Sequence, residues 1–188
     1  MAVKTFTTGE VLTASDTNTY LANSGLVYVT KATLSGTSTQ INNCFTSTYA
    51  AYRLVFTSLT FSTESLMTLR LVASSTPNQN NSYYASGLQV TPGGTVTGIG
   101  SGPATYWHTA ISASPTAGGT FLDIYNPQLT AGTAFDGMGV DTRTNGAPMR
   151  ITGGFFDATT SFDGIWISTL NGGYTLGGTV TIYGYRVG

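Results

Sequence analysis

Residues 66–73 read Leu66-Met67-Thr68-Leu69-Arg70-Leu71-Val72-Ala73. Met67, Leu69 and Leu71 point one way, and Thr68 and Arg70 point the other. A period of two is the mark of a strand, and apolar-in, polar-out alternation is that of a half-buried antiparallel sheet. Tyr49–Phe61, just before it, has the same character, and Leu26–Leu34 is apolar and β-branched. Beyond them, Tyr83–Val90, Ala104–Ala113, Thr120–Tyr125, Phe135–Thr142, Pro148–Phe156, Phe162–Leu170 and Thr179–Val187 are further strand candidates. Around ten strands with no helical pattern between them mean an all-β chain folded as a sandwich or barrel. A jelly-roll-like antiparallel β-sandwich accommodates this number better than a seven-stranded immunoglobulin domain.

Turn chemistry separates the strands. Asn145-Gly146 and Asn171-Gly172 are hairpin signals. Asp136-Gly137 and Asp163-Gly164 lie inside strand-like runs, where a glycine marks a bulge. Residues 77–81 and 92–94 read as loops, and Gly98-Ile99-Gly100-Ser101-Gly102-Pro103 reads as a flexible connection.

The front of the chain breaks this pattern. Thr13-Ala14-Ser15-Asp16 fits a capping box, with Thr13 as N-cap and Asp16 three residues on. Gly25 supplies a left-handed stop. The spacing predicts a helix from Ala14 to about Ser24. Its apolar content is thin, and an isolated helix of that length is marginal in water, so it must lean on something else. Two units follow: residues 1–25 as a segment with a short helix, and residues 26–188 as the β head.

The 188 residues suit one domain with its own core. Only 8% are charged, against about 25% in an average domain. Aromatics are plentiful, which argues against disorder. Seven basic residues are scattered and the net charge is −1, so there is no electrostatic footprint for nucleic acid or an anionic membrane. A surface of Thr, Ser, Asn and Gly suits a protein that works in an assembly or outside a cell. Residues 1–6 hold no apolar run of signal-peptide length, and no segment approaches a membrane span. Synthesis in the cytoplasm without a signal peptide is the expectation, which leaves the N-glycosylation pattern Asn80-Asn81-Ser82 as a polar loop. Cys44 is alone and reads as a small buried hydrophobe.

Chemistry needs titratable groups brought together. The chain has one His, one Cys and eight carboxylates. His108 would have to serve any Ser–His–Asp triad, yet no G-x-S-x-G elbow is present; a partly exposed strand histidine is the plainer reading. One His and one Cys far apart have no metal-ligand spacing. Asp123, Asp136, Asp141, Asp157 and Asp163 could supply a glycosidase pair, but three of them abut glycine or lie in turn-like sequence, where Asp is expected anyway. The glycine run at 98–102 lacks dinucleotide spacing and a following helix. No catalytic, cofactor-binding or metal residue is assigned.

Aromatics are the other means of recognition. In Tyr83-Tyr84 and in Tyr106-Trp107 the neighbours face opposite sides of a strand, so at most one of each pair fills a core covered on one face. The other can stack on a sugar or pack on a neighbouring subunit. Tyr83, Tyr84, Tyr106, Trp107 and His108 are the candidates for receptor or subunit contact. Trp166 reads as a packing residue.

The run from Lys4 to Leu21, KTFTTGEVLTASDTNTYL, resembles the opening segment of tailed-bacteriophage minor tail and fibre proteins. The closing strand Gly178–Arg186, and the runs Tyr52–Phe56 and Met67–Leu71, resemble β-sandwich domains of phage adhesins. The resemblance implies a virion component with no catalytic residues. Its N-terminal segment would attach to the particle, through Phe6, Val11, Leu12, Tyr20 and Leu21 as an apolar face. Its head would be exposed, often as a homotrimer, and would meet a host-surface glycan. There is no repetitive shaft, which favours a short tail fibre or a tail-tip or baseplate adhesin. A capsid decoration or head-fibre protein with a purely structural role is the alternative, and a glycan-cleaving enzyme is a third. The expected partners are other virion proteins, further copies of the chain and a glycan, with no nucleic acid and no membrane insertion.

Overall fold

The computed structural model describes residues 7–11, 13–16, 25–113, 118–140, 148–170 and 172–185, with backbone alone at 110–113. The chain is all-β, an antiparallel β-sandwich. Strands β1 (Leu26–Thr33), β3 (Ala51–Phe61), β6 (Tyr83–Val90), β7 (Val96–Ala104), β9 (Gly118–Tyr125), β10 (Thr133–Val140), β11 (Met149–Phe156) and β13 (Leu176–Tyr185) form an eight-stranded sheet. Its order is β1-β13-β3-β9-β10-β11-β6-β7. Against it packs a five-stranded sheet of β2 (Ser38–Ile41), β12 (Gly164–Thr169), β4 (Ser65–Ala73) and the two-residue β5 (Thr76–Pro77), with β8 (Trp107–Ala113) also beside β4.

This order contains a jelly roll. Without β5 and the hairpins β6–β7 and β10–β11, eight strands remain, in sheets β1-β13-β3-β9 and β2-β12-β4-β8. The chain passes from one sheet to the other at nearly every step, which is the double Greek key of that fold. The two extra hairpins pair with each other through β11 and β6 and double the width of the first sheet.

Between the sheets lies the core. Leu54, Phe56, Leu122, Ile124, Val180 and Ile182 come from the larger sheet, and Met67, Leu69, Leu71, Ile165 and Ile167 from the smaller. Trp107, Tyr83, Phe156 and Phe162 form a chain of edge-to-face rings, with Phe135 tilted against the indole. Cys44 is buried, as a small apolar residue would be, and burial pushes its thiol up to about 12.

Several local expectations change. Residues 98–103 are not a connection but most of β7, paired to β6 from Tyr83↔Ala104 to Val90↔Val96. Edge pairing is a backbone property, and glycines leave no polarity pattern to read. The short, polar β2 was invisible for the same reason. Asp136-Gly137 is not a bulge, since β10 pairs through it without a register shift, and Asp163-Gly164 stands at the start of β12, whose first paired residue is Gly164 opposite Val72. Their glycines give room instead. A Cβ on Gly137 would stand 2.3 Å from Leu122 Cδ2, and one on Gly164 2.4 Å from the Ile41 carbonyl oxygen. Asn171 lies outside the described residues, but the strands on either side of it, β12 and β13, belong to different sheets and do not form a hairpin. Residues 145–146 lie outside the described residues, although β10 and β11, which they join, do form a hairpin. In β4, Thr68 is buried despite its outward direction. It is a small side chain flanked on its face by Leu66 and Arg70, with His108 directly across the ladder.

At the front, the capping box forms. Thr13 N–H donates to Asp16 Oδ2, and Asp16 N–H donates to Thr13 Oγ1, both at 3.1 Å. The helical turn is described over Ala14–Asp16; the continuation to Ser24 falls outside the described residues. Gly25 takes the positive φ, 94°, expected of a left-handed stop. None of the described helices is long and apolar enough to cross a membrane.

Candidate functional site

The strand alternation decides which aromatic of each pair is outside. Tyr83 and Trp107 go inward, and both are fully buried. Their rings meet edge to face, 5.4 Å apart. Neither reaches a receptor or a subunit surface, so those two candidates are core residues. Tyr84 is exposed on the outer face of the larger sheet, opposite Phe155. Tyr106 and His108 lie at the smaller sheet, ring centroids 4.9 Å apart. The five candidates therefore divide among the core and two separate surfaces.

On the smaller sheet's outer face they have a neighbour in Trp166, which the sequence reads as a packing residue. Within β12, Ile165 and Ile167 face the core and Trp166 faces outward, half-buried. Directly across the ladder is Arg70. Its guanidinium carbon lies 4.6 Å from the Trp166 ring centroid and 5.6 Å from that of Tyr106. Arg70 Nε donates to the Thr105 carbonyl at 3.0 Å. Trp166, Arg70, Tyr106 and His108 thus form one continuous run of rings and a cation.

His108 ends this run at the rim of a cleft. The eight-stranded sheet overhangs the smaller one there. A space of about 380 Å³ opens between Leu66 and His108 on one side and Ala85, Gly98, Ile99, Arg150 and Thr152 on the other. That is within the size range of small-ligand pockets. Burial lowers the pKa of His108 from its ordinary value, so at neutral pH the imidazole is uncharged, one nitrogen a donor and the other an acceptor. Arg150 is buried in the wall, bonded through Nη2 to Gln89 Oε1.

The larger sheet presents a different surface. One rung of its outer face runs Val55, Phe121, Met138, Ile151, Leu88 across five strands. A second runs Val140, Met149, Val90, Val96, and a third contains Ala134, Phe155 and Tyr84. Met138, Val140, Met149, Ile151, Leu88 and Val96 are between 38% and 58% exposed. A shallow groove of about 380 Å³ between Val55, Phe121 and Met149 adds to it.

Of the carboxylates, Asp123 and Asp136 are brought face to face by the β9–β10 register. Asp123 is held by Arg53 and Tyr185, and Asp136 accepts from Tyr125 at 3.1 Å. Asp163 accepts from the Ser74 N–H, Asp157 is exposed, and Asp141 lies outside the described residues. Among the described residues, no group of three or more His, Cys, Asp or Glu comes together to hold a metal ion. Of the docking candidates, Val11 is 78% exposed, while Phe6, Leu12, Tyr20 and Leu21 lie outside the described residues. The chain matches no protein-family model, no curated protein and no solved structure.

Proposed function

We propose that this chain is a bacteriophage virion protein, a short tail fibre or a tail-tip or baseplate adhesin. It docks to the particle by its N-terminus and presents the β-sandwich to a host-surface glycan. The observation that carries this reading is the N-terminal segment. Thr7 N–H donates to Glu10 Oε2, Thr13 and Asp16 close the capping box, and Val11 stands almost wholly in solvent between the two turns. Every strand described in the two sheets lies at Leu26 or beyond, and none is formed by the described residues 7–11 and 13–16. A pre-shaped segment with an exposed Val11 is suited to docking, and the resemblance of Lys4–Leu21 to phage tail openings names the kind of partner. Jelly rolls serve both as capsid domains and as lectins, so the fold suits the reading by analogy and does not carry it.

Deleting residues 1–25 tests it. The head should still unfold cooperatively, while particles assembled with the truncated chain should lack it on a protein gel. Normal incorporation of the truncated chain would sink the docking role.

The reading includes self-assembly, as a trimer by the family resemblance. The apolar outer face of the larger sheet is where copies meet. Its apolar rungs, with the polar rung of Arg53, Asp123, Asp136 and Ser86 running between two of them, span roughly 20 by 20 Å, from strand spacing and rise. With side-chain relief, two copies joined there bury on the order of 1,000 Å², the lower bound for a specific interface. Ile151→Glu places a charge at the centre of that face. It should convert an oligomer to monomer in sedimentation velocity with the melting temperature nearly unchanged. An unaltered sedimentation coefficient would move the interface elsewhere.

A further inference from the structure

We propose that the outer face of the five-stranded sheet is a binding site for a carboxylate-bearing saccharide, centred on Arg70 between Trp166 and Tyr106. The inference rests on the adhesin reading for the source of the ligand, and it names the site and the chemistry.

The guanidinium of Arg70 is fixed before any ligand arrives. The Thr105 carbonyl takes its Nε–H, the Trp166 ring lies 4.6 Å away and the Tyr106 ring 5.6 Å. Arginine loses considerable rotamer entropy when it is ordered, and here that cost falls on folding, not on binding. The Nε–H is spent, but the two terminal nitrogens donate to nothing among the described residues, and no carboxylate there pairs with the cation. Two parallel N–H vectors on a planar cation match the two oxygens of a carboxylate.

The surroundings supply the rest of a sugar site. The half-buried rings of Trp166 and Tyr106 flank the cation, and the parts of them that Arg70 leaves uncovered can meet the C–H face of a pyranose, with their stiffness keeping the ordering cost low. His108, against Tyr106, presents one donor and one acceptor to hydroxyl groups. Beyond His108 the cleft at Leu66 and Thr152 has room for a further unit of the chain. An uncharged saccharide would use the rings but leave the guanidinium unmatched. A sulfate or phosphate ester also presents two oxygens to the fork, so a sulfated oligomer, titrated alongside, separates that chemistry from a carboxylate.

Isothermal titration of the full chain with short oligomers of galacturonate, glucuronate and N-acetylneuraminate tests the site, with a neutral galactose oligomer and a sulfated one alongside. At least one carboxylated oligomer should bind, the neutral one more weakly. Arg70→Gln and Trp166→Ala should each weaken binding by about tenfold or more, the scale of a lost charged hydrogen bond, with melting checked in the same preparations. Arg70→Lys keeps the charge without the fork and should not restore affinity. Equal binding of neutral and carboxylated oligomers, tighter binding of the sulfated one, or an unaffected Arg70→Gln would each overturn the proposal. So would binding to none of the three acids; if residues 1–25 were still needed for incorporation, the adhesin reading would survive that result.

Discussion

Trp107→Ala should lower the free energy of unfolding by about 3–5 kcal/mol, a large share of the roughly 5–15 kcal/mol that holds a domain together. The indole is fully buried. It packs 5.4 Å from Tyr83 and 4.6 Å from Phe135, and Tyr83 continues the contact to Phe156 and Phe162. The hole left by Ala would be walled by strands locked in hydrogen-bonded ladders, so it could not collapse cheaply, and the cost rises with the volume that stays empty. Trp107→Phe is the informative control. Phe retains most of the volume, and it removes the indole N–H, which has no hydrogen-bond partner among the described residues. A buried donor left unsatisfied costs about 1–3 kcal/mol, so its removal offsets part of the lost packing. The Phe variant should therefore lose less than half of what the Ala variant loses. Denaturant midpoints at constant m-value measure both. An Ala variant within about 1 kcal/mol of the parent would mean that the core is not organised around this ring, because changes of that size are ordinary for any site.

The two tryptophans show how far the sequence could be read. In Gly164–Thr169 the isoleucines at 165 and 167 alternate with Trp166, so a period of two already put Trp166 on the opposite face from the aliphatic pair. The size and apolarity of the ring pulled the reading toward packing. In Tyr106-Trp107 both neighbours are aromatic, and alternation states only that they diverge, not which goes inward. That choice is made by what waits on each side. Inside are Tyr83 and Phe135, supplied by β6 and β10; outside is Arg70. Those partners are distant in sequence, so no local signal decides between them.

The same limit governs the fold. Alternation in Leu66–Ala73 and Tyr49–Phe61 revealed strands, and their number pointed to a sandwich with jelly-roll character. Membership of one sheet or the other was not legible. Asn171-Gly172 reads as a hairpin signal because turn residues mark where a chain reverses, not whether the strands on either side pair or part. β7 was missed because Gly98, Gly100 and Gly102 carry no hydropathy, while the pairing that makes it a strand belongs to the backbone of β6. The apolar outer face of β10, β11 and β6 escaped notice for the converse reason. Met138, Val140, Met149 and Ile151 look like core residues in a one-dimensional pattern, and only the register with Gly137, Gly139, Arg150 and Thr152 on the inner side shows which face is which.

Arg53→Met should destabilise the chain by about 2–3 kcal/mol, and Asp123→Asn by clearly less. Arg53 and Asp123 lie opposite each other on β3 and β9. Arg53 Nε donates at 2.8 Å and Nη2 at 2.5 Å, and Tyr185 adds its hydroxyl at 2.9 Å. The pair is unequal in exposure. The carboxylate side chain is 7% exposed and the arginine 31%. Removing the arginine strands a buried charge beside Asp136, its neighbour across the β9–β10 ladder. Stranding one partner of a fully buried pair costs about 3–5 kcal/mol. The partial exposure of Arg53 means that water already screens this pair, which lowers the figure. Removing the carboxylate's charge leaves an arginine that can turn toward solvent and still lie over the Phe121 ring, 4.7 Å from its centroid. Tyr185 reports on the same cluster. Its hydroxyl pKa is pushed up to about 12, by burial first and by the hydrogen bond to Asp123 second. A folded value above the unfolded one means that the tyrosine's contribution is whole below pH about 10 and is lost as pH rises through the folded value. Alkaline melting curves should therefore be steeper for the parent than for Tyr185→Phe. Equal losses for Arg53→Met and Asp123→Asn would show that the cluster is held by packing on Phe121 and not by charge.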